Sequence, residues 1–370
     1  MLLLKRLFFA VIFIFAALNQ QTVSAVGDLP IVSAQAAVVY HPDTQQVLYA
    51  KNENTEMLIA STTKIMTAII ALENCDPEEQ VSITAEMANV EGSSMYLQAG
   101  ERYTIRELLY GLMLASGNDA ATAIAVHTAG DEAAFAQLMN EKAVSLGMEH
   151  TSFENPHGLD GEHHYSTAVD MAKLMAYAME NSTFAEIAGT SHITIKGMTY
   201  VNHNKLLWQC DGVIGGKTGY TMAAGRTLVT CCERNGQRLI CVTLCDSDDW
   251  QDHAALYDWA YAAYKNHVLI PKEIRYQVAV VSDDDTSVAV EPLTDVIIFA
   301  ESAEDAEYIV ELPSFVYGPV HVGDKIGNVV VTLNGKEVDE VPLVAMEECK
   351  TNIKEHKIFL NILLSILKKT

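Results

Sequence analysis

Ser61-Thr62-Thr63-Lys64 places a hydroxyl and an amine three positions apart in an apolar stretch of the chain. A serine hydroxyl is a weak nucleophile until a neighbouring base accepts its proton. On a helix, residues three positions apart lie on one face, so Lys64 would reach the Ser61 hydroxyl. The field of the helix start and repulsion from Lys217 would favour a neutral Lys64, which could then act as the base.

The S-x-x-K pattern alone is not specific, because Ser365 and Lys368 form a second copy near the end of the chain. Ser116-Gly117-Asn118 occurs once, between two apolar segments, and on its own indicates a connection between two helices. The same geometry would let Ser116 relay a proton and Asn118 bind a substrate amide.

Lys217-Thr218-Gly219 also occurs once and begins a run with strand character. Lys217 and Thr218 would hold a carboxylate, and Gly219 would let the backbone of an extended peptide approach an edge strand. A phosphate-binding loop is excluded, because the pattern G-x-x-x-x-G-K-[ST] requires a glycine at residue 211, which is Asp211.

The three strings in this order resemble the active-site motifs of the serine penicillin-recognising enzymes. Segments 91–97, 155–159 and 164–168 narrow the resemblance to the low-molecular-mass penicillin-binding proteins that are D-alanyl-D-alanine carboxypeptidases, over nearly the whole chain. Segment 249–253 is similar to the sporulation-type members. The resemblance implies an α/β (α+β) catalytic domain, in which helices flank an antiparallel sheet, followed by a small all-β domain.

The resemblance also implies a reaction. Ser61 would attack the carbonyl between the two D-alanines that end a peptidoglycan stem peptide, with Lys64 as base and Ser116 assisting proton transfer to the departing D-alanine. β-Lactam antibiotics would acylate the same serine, and no cofactor or metal ion is expected. The expected substrate-binding residues, with the N–H of the last completing the oxyanion hole, are Asn118, Lys217, Thr218, Gly219 and Tyr220.

One departure from the relatives concerns the arginine that often follows the strand after K-T-G. Residues 245–253 contain no arginine, and Arg226 or Arg238 could take its place. Two alternatives stay open on the sequence: a serine β-lactamase, which would need the absent string E-x-x-L-N, and a catalytically silent wall-binding or penicillin-sensing protein.

The elements around these strings indicate how they are positioned. Strands are predicted at 36–40 and 46–50 and again in a hairpin, 227–232 and 239–244, with helices between the two pairs. This order predicts one sheet assembled from both ends of the domain, with helices packed against it. The predicted divisions are a signal peptide (1–25), a catalytic domain (26–270), a β-rich domain (271–348) and an amphipathic membrane-anchoring helix (349–370).

Both ends of the chain carry membrane signals. A basic pair, an apolar run over 7–18 and small residues at 23–25 are typical of a secretory signal peptide. The pattern of residues 354–370 predicts an apolar helix with a lysine-bearing polar stripe, which would contact a membrane surface; packing on the protein itself is the alternative. The predicted location is therefore outside the cell, on the outer face of the cytoplasmic membrane, anchored by this helix.

Composition limits the other functions. The 24 Lys and Arg against 48 Asp and Glu give a formal net charge of −24, which disfavours nucleic-acid binding. No run reaches 18 apolar residues, so a multi-span membrane protein is excluded. With Asn235-Gly236 as the turn of the hairpin, Cys231 would lie opposite Ile240 and Cys232 opposite Leu239, so no cysteine pair is opposed. We therefore interpret the four hairpin cysteines as small buried thiols: Cys231, Cys232, Cys241 and Cys245. The seven cysteines form no C-x-x-C pair, which disfavours a zinc site.

Overall fold

The structure, a computed structural model, describes residues 28–281 and 286–349. Up to residue 263 its strands are β1 (Ala36–His41), β2 (Gln46–Lys51), β3 (Gln80–Ser82), β4 (Arg102–Thr104), β5 (His192–Ile195), β6 (Met198–Val201), β7 (Val213–Thr221), β8 (Gly225–Arg234) and β9 (Gln237–Leu244). Five of them form an antiparallel sheet in the order β2-β1-β9-β8-β7. Early and late strands therefore share one sheet, as predicted, and β7 lies at its edge.

The register of the β8–β9 hairpin agrees with the sequence prediction. Cys231 lies opposite Ile240 and Cys232 opposite Leu239 across the turn at Asn235 and Gly236. Both residues of this turn have positive φ, which the pairing of asparagine with glycine allows. No two cysteines are opposed, and all seven, which lie within the described residues, are free thiols.

The helices lie between these strand pairs and after them. A 3₁₀ helix (Ala60–Thr63) leads directly into the first α-helix. Thr104 forms a full capping box with Glu107, as its spacing predicts. The α-helices are α1 (Lys64–Asn74), α2 (Ala85–Ala88), α3 (Ile105–Leu114), α4 (Asn118–Ala129), α5 (Glu132–Ser145), α6 (Ala168–Met179), α7 (Ser182–Gly189), α8 (Leu206–Gln209) and α9 (Asp249–Ala263).

The sheet separates two apolar cores, because alternate side chains of a strand point to opposite faces. Ile240 and Val242 of β9 pack in the larger core, with α1 and α3–α7. Leu239 and Cys241 pack on the other face, against α9. Burial of each large apolar side chain contributes about 1.5–3 kcal/mol. The helices are thus held on both faces of the sheet, which is the predicted α/β class.

The remaining described chain is β-rich. Its strands are β10 (Lys265–Ile270), β11 (Tyr276–Val281), β12 (Thr286–Pro292), β13 (Val296–Ala300), β14 (Ala306–Glu311), β15 (Phe315–Tyr317), β16 (Lys325–Leu333) and β17 (Lys336–Ala345), with a 3₁₀ turn at Ala303–Asp305. Six form a sheet in the order β14-β16-β17-β12-β11-β15. The strand before Pro271, β10, pairs with β13 of this part. The all-β second domain is confirmed.

The predicted location needs a correction. The described chain ends in the β-rich domain rather than in an anchoring helix. There the backbone of Cys349 pairs with that of Val320 in an isolated antiparallel β-bridge. Among residues 28–281 and 286–349, no helix is both long and apolar enough to cross a membrane. The predicted signal peptide (1–25) and nearly all of the predicted anchor (349–370) lie outside the described residues. The location at the membrane through a C-terminal helix is therefore withdrawn.

Candidate active site

Ser61 and Lys64 lie at the junction between the 3₁₀ helix and α1. Ser61 belongs to the 3₁₀ turn, and Lys64 is the first residue of α1. Ala60 adopts a positive φ of 46° just before the serine. Gly158 packs so closely on this turn that an added Cβ would lie 2.0 Å from the Ala60 carbonyl oxygen. The serine therefore sits on a tightly fixed backbone rather than on a free helix end.

Lys64 is fully buried and has three polar neighbours. Its Nζ lies 2.9 Å from Ser61 Oγ, 2.7 Å from Asn118 Oδ1 and 2.6 Å from the His157 carbonyl oxygen. Burial lowers the pKa of Lys64 well below its usual range, and the nearby Lys217 lowers this pKa further.

The three contacts match the hydrogen-bonding capacity of a neutral amine. The two oxygens of Asn118 and His157 are acceptors and take the two N–H groups of the amine. When Lys64 is neutral, its lone pair is left for the Ser61 hydroxyl, whose Oγ lies 2.9 Å from Nζ. This arrangement is suited to general-base activation of a serine.

Ser116 and Lys217 form a second hydroxyl–amine pair beside the first. Ser116 links α3 to α4 with a positive φ of 59°. Lys217 of β7 donates from Nζ to Ser116 Oγ at 3.0 Å and to the Thr218 carbonyl oxygen at 2.8 Å. Burial lowers the pKa of Lys217 to about 7. Near neutral pH this pair can therefore both hold and release a proton.

Asn118 fixes the position of Lys64 from the start of α4. Its Nδ2 donates to the Glu91 carbonyl oxygen at 2.5 Å, and its backbone N–H donates to the Ser93 carbonyl oxygen at 2.7 Å. These contacts orient the amide so that Oδ1 faces Lys64.

Asp119, the next residue, was missed by the sequence analysis. Its carboxylate accepts from Ser94 Oγ at 2.6 Å and from the N–H groups of Met95 and Leu97 at 2.9 and 3.1 Å. It thereby holds the loop over 93–97 against the site. The only signal for this role in the sequence was its place directly after S-x-N.

The edge strand β7 runs alongside the serine. A Cβ added to Gly219 would lie 2.9 Å from the Ser61 backbone nitrogen and 2.4 Å from Thr227 Oγ1. Only glycine therefore allows β7 to approach this closely. Tyr220 follows on the same strand and is 66% exposed.

These residues surround an open cleft of about 1080 Å³. Five of the eight predicted site residues line it: Ser61, Ser116, Thr218, Gly219 and Tyr220. The other three are buried directly behind this lining, and we call them the floor of the cleft: Lys64, Asn118 and Lys217. The structure thus brings all eight predicted residues together.

Arg226 lies at the outer end of the same cleft. Its guanidinium forms two hydrogen bonds to Asp249, at 2.6 and 3.0 Å, and lies 5.4 Å from the ring centre of Trp250. We call Tyr220, Arg226 and Trp250 the mouth of the cleft. Arg238, the other sequence candidate, instead pairs with Glu233 and Glu180 and does not line the cleft.

Two histidines support the site from behind. The carbonyl of His157 accepts from Lys64, a role that the sequence analysis missed because any residue type offers that group. His164 contacts Thr63 Oγ1 through Nε2 at 2.8 Å. Burial lowers the pKa of His157 to about 3 and that of His164 to about 4, so both rings are neutral near pH 7.

A serine beside a buried lysine, at an edge strand that can pair with a peptide, is the arrangement that serine acyl transfer requires. Residues 20–248 match the family model described as D-alanyl-D-alanine carboxypeptidase (peptidase S11), and residues 264–351 match the C-terminal domain of penicillin-binding protein 5. The chain therefore belongs to the D-alanyl-D-alanine carboxypeptidase family, which confirms the predicted family and class of enzyme.

Individual relatives agree with this assignment. The chain is 32% identical over 334 residues to D-alanyl-D-alanine carboxypeptidase DacF of Bacillus subtilis, a match that covers 86% of each chain. It is 35% identical over 254 residues to DacB2 of Mycobacterium tuberculosis, with 65% of this chain and 87% of the relative covered. The structure of penicillin-binding protein 5 from Haemophilus influenzae superposes with a TM-score of 0.69 at 26% identity, over 87% of this chain and 99% of that one.

Proposed function

We propose that Ser61 is the nucleophile with which this carboxypeptidase removes the terminal D-alanine from peptidoglycan stem peptides that end in D-Ala-D-Ala. The observation that carries the assignment is the 2.9 Å contact between Ser61 Oγ and Lys64 Nζ, an amine whose other two polar contacts are both acceptors. Lys64 accepts the hydroxyl proton as Ser61 Oγ bonds to the carbonyl carbon. The N–H groups of Ser61 and Tyr220 bind the resulting oxyanion.

The tetrahedral intermediate then collapses, and the bond to the terminal D-alanine breaks. Ser116 donates its proton to the departing amine and recovers one from Lys217, 3.0 Å away. The products of this half-reaction are free D-alanine and an acyl ester on Ser61. The proton that Lys64 took from Ser61 passes to Lys217, which restores both lysines to their starting states. Lys64 then takes a proton from water as the water oxygen attacks the ester, and it returns this proton to Ser61 Oγ when the ester bond breaks.

The terminal carboxylate of the substrate is bound at β7. Thr218 and Lys217 approach it from the strand, and Arg226 at the mouth of the cleft supplies a fixed guanidinium. Asp249 holds that guanidinium through two hydrogen bonds and leaves 42% of the arginine side chain exposed. Arg226 thus takes the place of the arginine missing from residues 245–253, and Asn118 presents the edge of its amide to the peptide.

β-Lactam antibiotics acylate the same serine, because their strained amide lies where the D-Ala-D-Ala bond would lie. A serine β-lactamase would need a carboxylate that activates the deacylating water. Among the described residues that line the cleft, Asp249 is the one acidic residue, and its carboxylate is already paired with Arg226. The geometry therefore favours slow release of the antibiotic.

The test of Ser61 is its replacement by alanine. Ser61→Ala should abolish D-alanine release from a D-Ala-D-Ala peptide and covalent labelling by penicillin. Peptide mass spectrometry of the labelled wild-type protein should place the adduct on the Ser61 peptide. Ser93→Ala, which removes another hydroxyl from the cleft lining, is the control and should keep labelling. An adduct on another peptide would refute the assignment.

The proposal also covers the organisation of the chain. We propose a catalytic domain (26–270), a β-rich domain (271–348) and a signal peptide (1–25) that is removed. Family models that match residues 20–248 and 264–351 support two domains. Amino-terminal sequencing of the chain made by its own cell would test the cleavage. A mature protein that still begins at Met1 would exclude a removed signal.

A further inference from the structure

A cluster of metal-ligating side chains lies away from the cleft, at the opposite ends of the two helices that carry Lys64 and Asn118. Cys75 directly follows α1, His127 lies in the last turn of α4, and Glu79 lies in the loop that leads to β3. One potential ligand atom from each of the three lies within 4.8 Å of the others. His127 Nε2 is 3.1 Å from Glu79 Oε1.

We propose that Cys75, Glu79 and His127 form a zinc-binding site. A thiolate, an imidazole nitrogen and a carboxylate oxygen are the ligand types that zinc prefers, whereas calcium and magnesium prefer oxygen alone. Zinc bonds of about 2.0–2.3 Å hold tetrahedral ligands about 3–4 Å apart. To bind an ion, the three side chains would move closer together, and the Cys75 thiol would exchange its contact with Thr128 Oγ1, at 3.4 Å, for the metal.

The backbone around the cluster is already fixed. The Cys75 N–H donates to the Ala71 carbonyl oxygen at 2.9 Å, which ties the thiol to the end of α1. The Glu79 N–H donates to the Asp76 carbonyl oxygen at 2.9 Å, and the Glu79 carbonyl accepts from the Ile105 N–H at 3.0 Å. The three ligands would thus need little ordering when an ion binds.

The cluster is also accessible. Cys75 is partly buried, and 23% of the His127 side chain and 47% of the Glu79 side chain are exposed. An ion can therefore enter from solvent, and a water molecule would complete its fourth position.

A bound ion would join α1 and α4 at the ends opposite the active site. At their first residues the same helices are joined by the hydrogen bond from Lys64 to Asn118. Eleven residues of helix separate the two junctions, a distance of about 16 Å. The site would therefore be structural, acting through the helix pair rather than on the substrate, and it does not depend on the proposed function.

The test is titration of zinc chloride into the full-length chain, purified without metal and kept reduced by a phosphine. Wild type should bind one zinc ion per chain and gain thermal stability with added zinc. Cys75→Ser, Glu79→Gln and His127→Gln should each weaken the affinity by at least roughly tenfold, as the loss of even an indirect metal contact does.

Cobalt chloride gives a second readout that reports the cysteine directly. Wild type should show the near-ultraviolet thiolate-to-cobalt absorption, and Cys75→Ser should lose it. The matched controls are Cys210→Ser, another partly buried thiol, and His150→Gln, whose ring pairs with Glu56 at 3.4 Å and is not part of the cluster.

Both controls should keep the zinc affinity and the cobalt absorption of wild type. The proposal is overturned if wild type binds no zinc, if Cys75→Ser keeps the cobalt signal, or if Cys210→Ser loses it. Far-ultraviolet circular dichroism checks that each variant is folded, and His127→Gln tests the site from α4 should Cys75→Ser unfold.

Discussion

Lys64 and Lys217 on the floor of the cleft are at most 1% exposed, whereas Arg226 at its mouth keeps 42% of its side chain in solvent. The floor lysines contact neutral oxygens: a hydroxyl, an amide and backbone carbonyls. The mouth arginine contacts a carboxylate, Asp249. Basic residues of one cleft thus occupy opposite electrostatic environments.

The contrast separates chemistry from recognition. Water is removed from the floor, and the charged form of a buried amine is disfavoured, so the pKa of each lysine falls toward a range in which it can exchange protons. At the mouth, the guanidinium of Arg226 stays partly hydrated and is paired with Asp249. Such a group can attract a carboxylate but cannot act as a base.

The largest expected effect comes from removing Lys64, the proposed base on the floor. Lys64→Met keeps the volume but loses the lone pair that faces Ser61, and general-base contributions are worth about 10²–10⁴-fold in kcat. Steady-state release of D-alanine and the rate of labelling by a fluorescent penicillin should both fall by this factor. The exposed Lys265→Met is the control. Wild-type labelling of Lys64→Met would show that another group activates the serine.

Next in size is a change that moves the β7 backbone itself. Gly219→Ala places a methyl group against the Ser61 nitrogen and should push β7 outward; a misplacement of about 1 Å can cost about 10²-fold in rate. The control on the same strand is Gly215→Ala, whose Cβ would meet only Met179 and Ala188 side chains at 3.3 Å or more. Similar kcat/KM losses in both variants would contradict this reason.

At the mouth, the expected change is in binding. Arg226→Gln should raise KM for D-Ala-D-Ala peptides about 10–100-fold and leave kcat within a few-fold, because a hydrogen bond to a charged group is worth about 1.5–3 kcal/mol. Arg238→Gln, outside the cleft, should leave both constants unchanged. A fall in kcat at constant KM in Arg226→Gln would mean that this arginine acts in the chemical step, as proposed for the floor lysines, rather than in binding.

The smallest expected effect is on stability. A pKa of about 7 instead of 10.5 means that burying Lys217 costs roughly 4–5 kcal/mol at pH 7. Lys217→Met removes this cost but leaves Ser116 Oγ and the Thr218 carbonyl unpaired, so we expect a net gain of about 1–2 kcal/mol.

The sign of its pH dependence follows from the lowered pKa. Between pH 7 and 10.5 the unfolded chain binds a proton at Lys217 that the folded chain does not, so this lysine makes wild-type stability rise with pH. Urea unfolding at pH 7 and pH 9.5 should therefore show the advantage of Lys217→Met falling by about 3 kcal/mol, enough to reverse its sign, while Lys265→Met shows no such trend. An equal advantage at both values would contradict the buried-charge explanation.

Much of the site could be predicted from short strings, because S-x-x-K, S-x-N and K-T-G each place their residues within four consecutive positions of the chain. The contribution of the His157 carbonyl could not be predicted this way, since a backbone group leaves no trace in residue type. The choice between Arg226 and Arg238 also required the structure: both lie on the β8–β9 hairpin, and only the packing of α9 brings Asp249 to one of them.

The sequence by itself determined the candidate catalytic residues, the hairpin register and the order of elements, since these depend on neighbours a few positions apart. Only the tertiary structure decided which amines are buried and which are paired. It also brought Cys75, Glu79 and His127 together, although no ligand spacing in the chain indicates zinc. The physical reason is that desolvation and ligand geometry depend on every side chain within a few ångströms, and folding draws those side chains from distant parts of the chain.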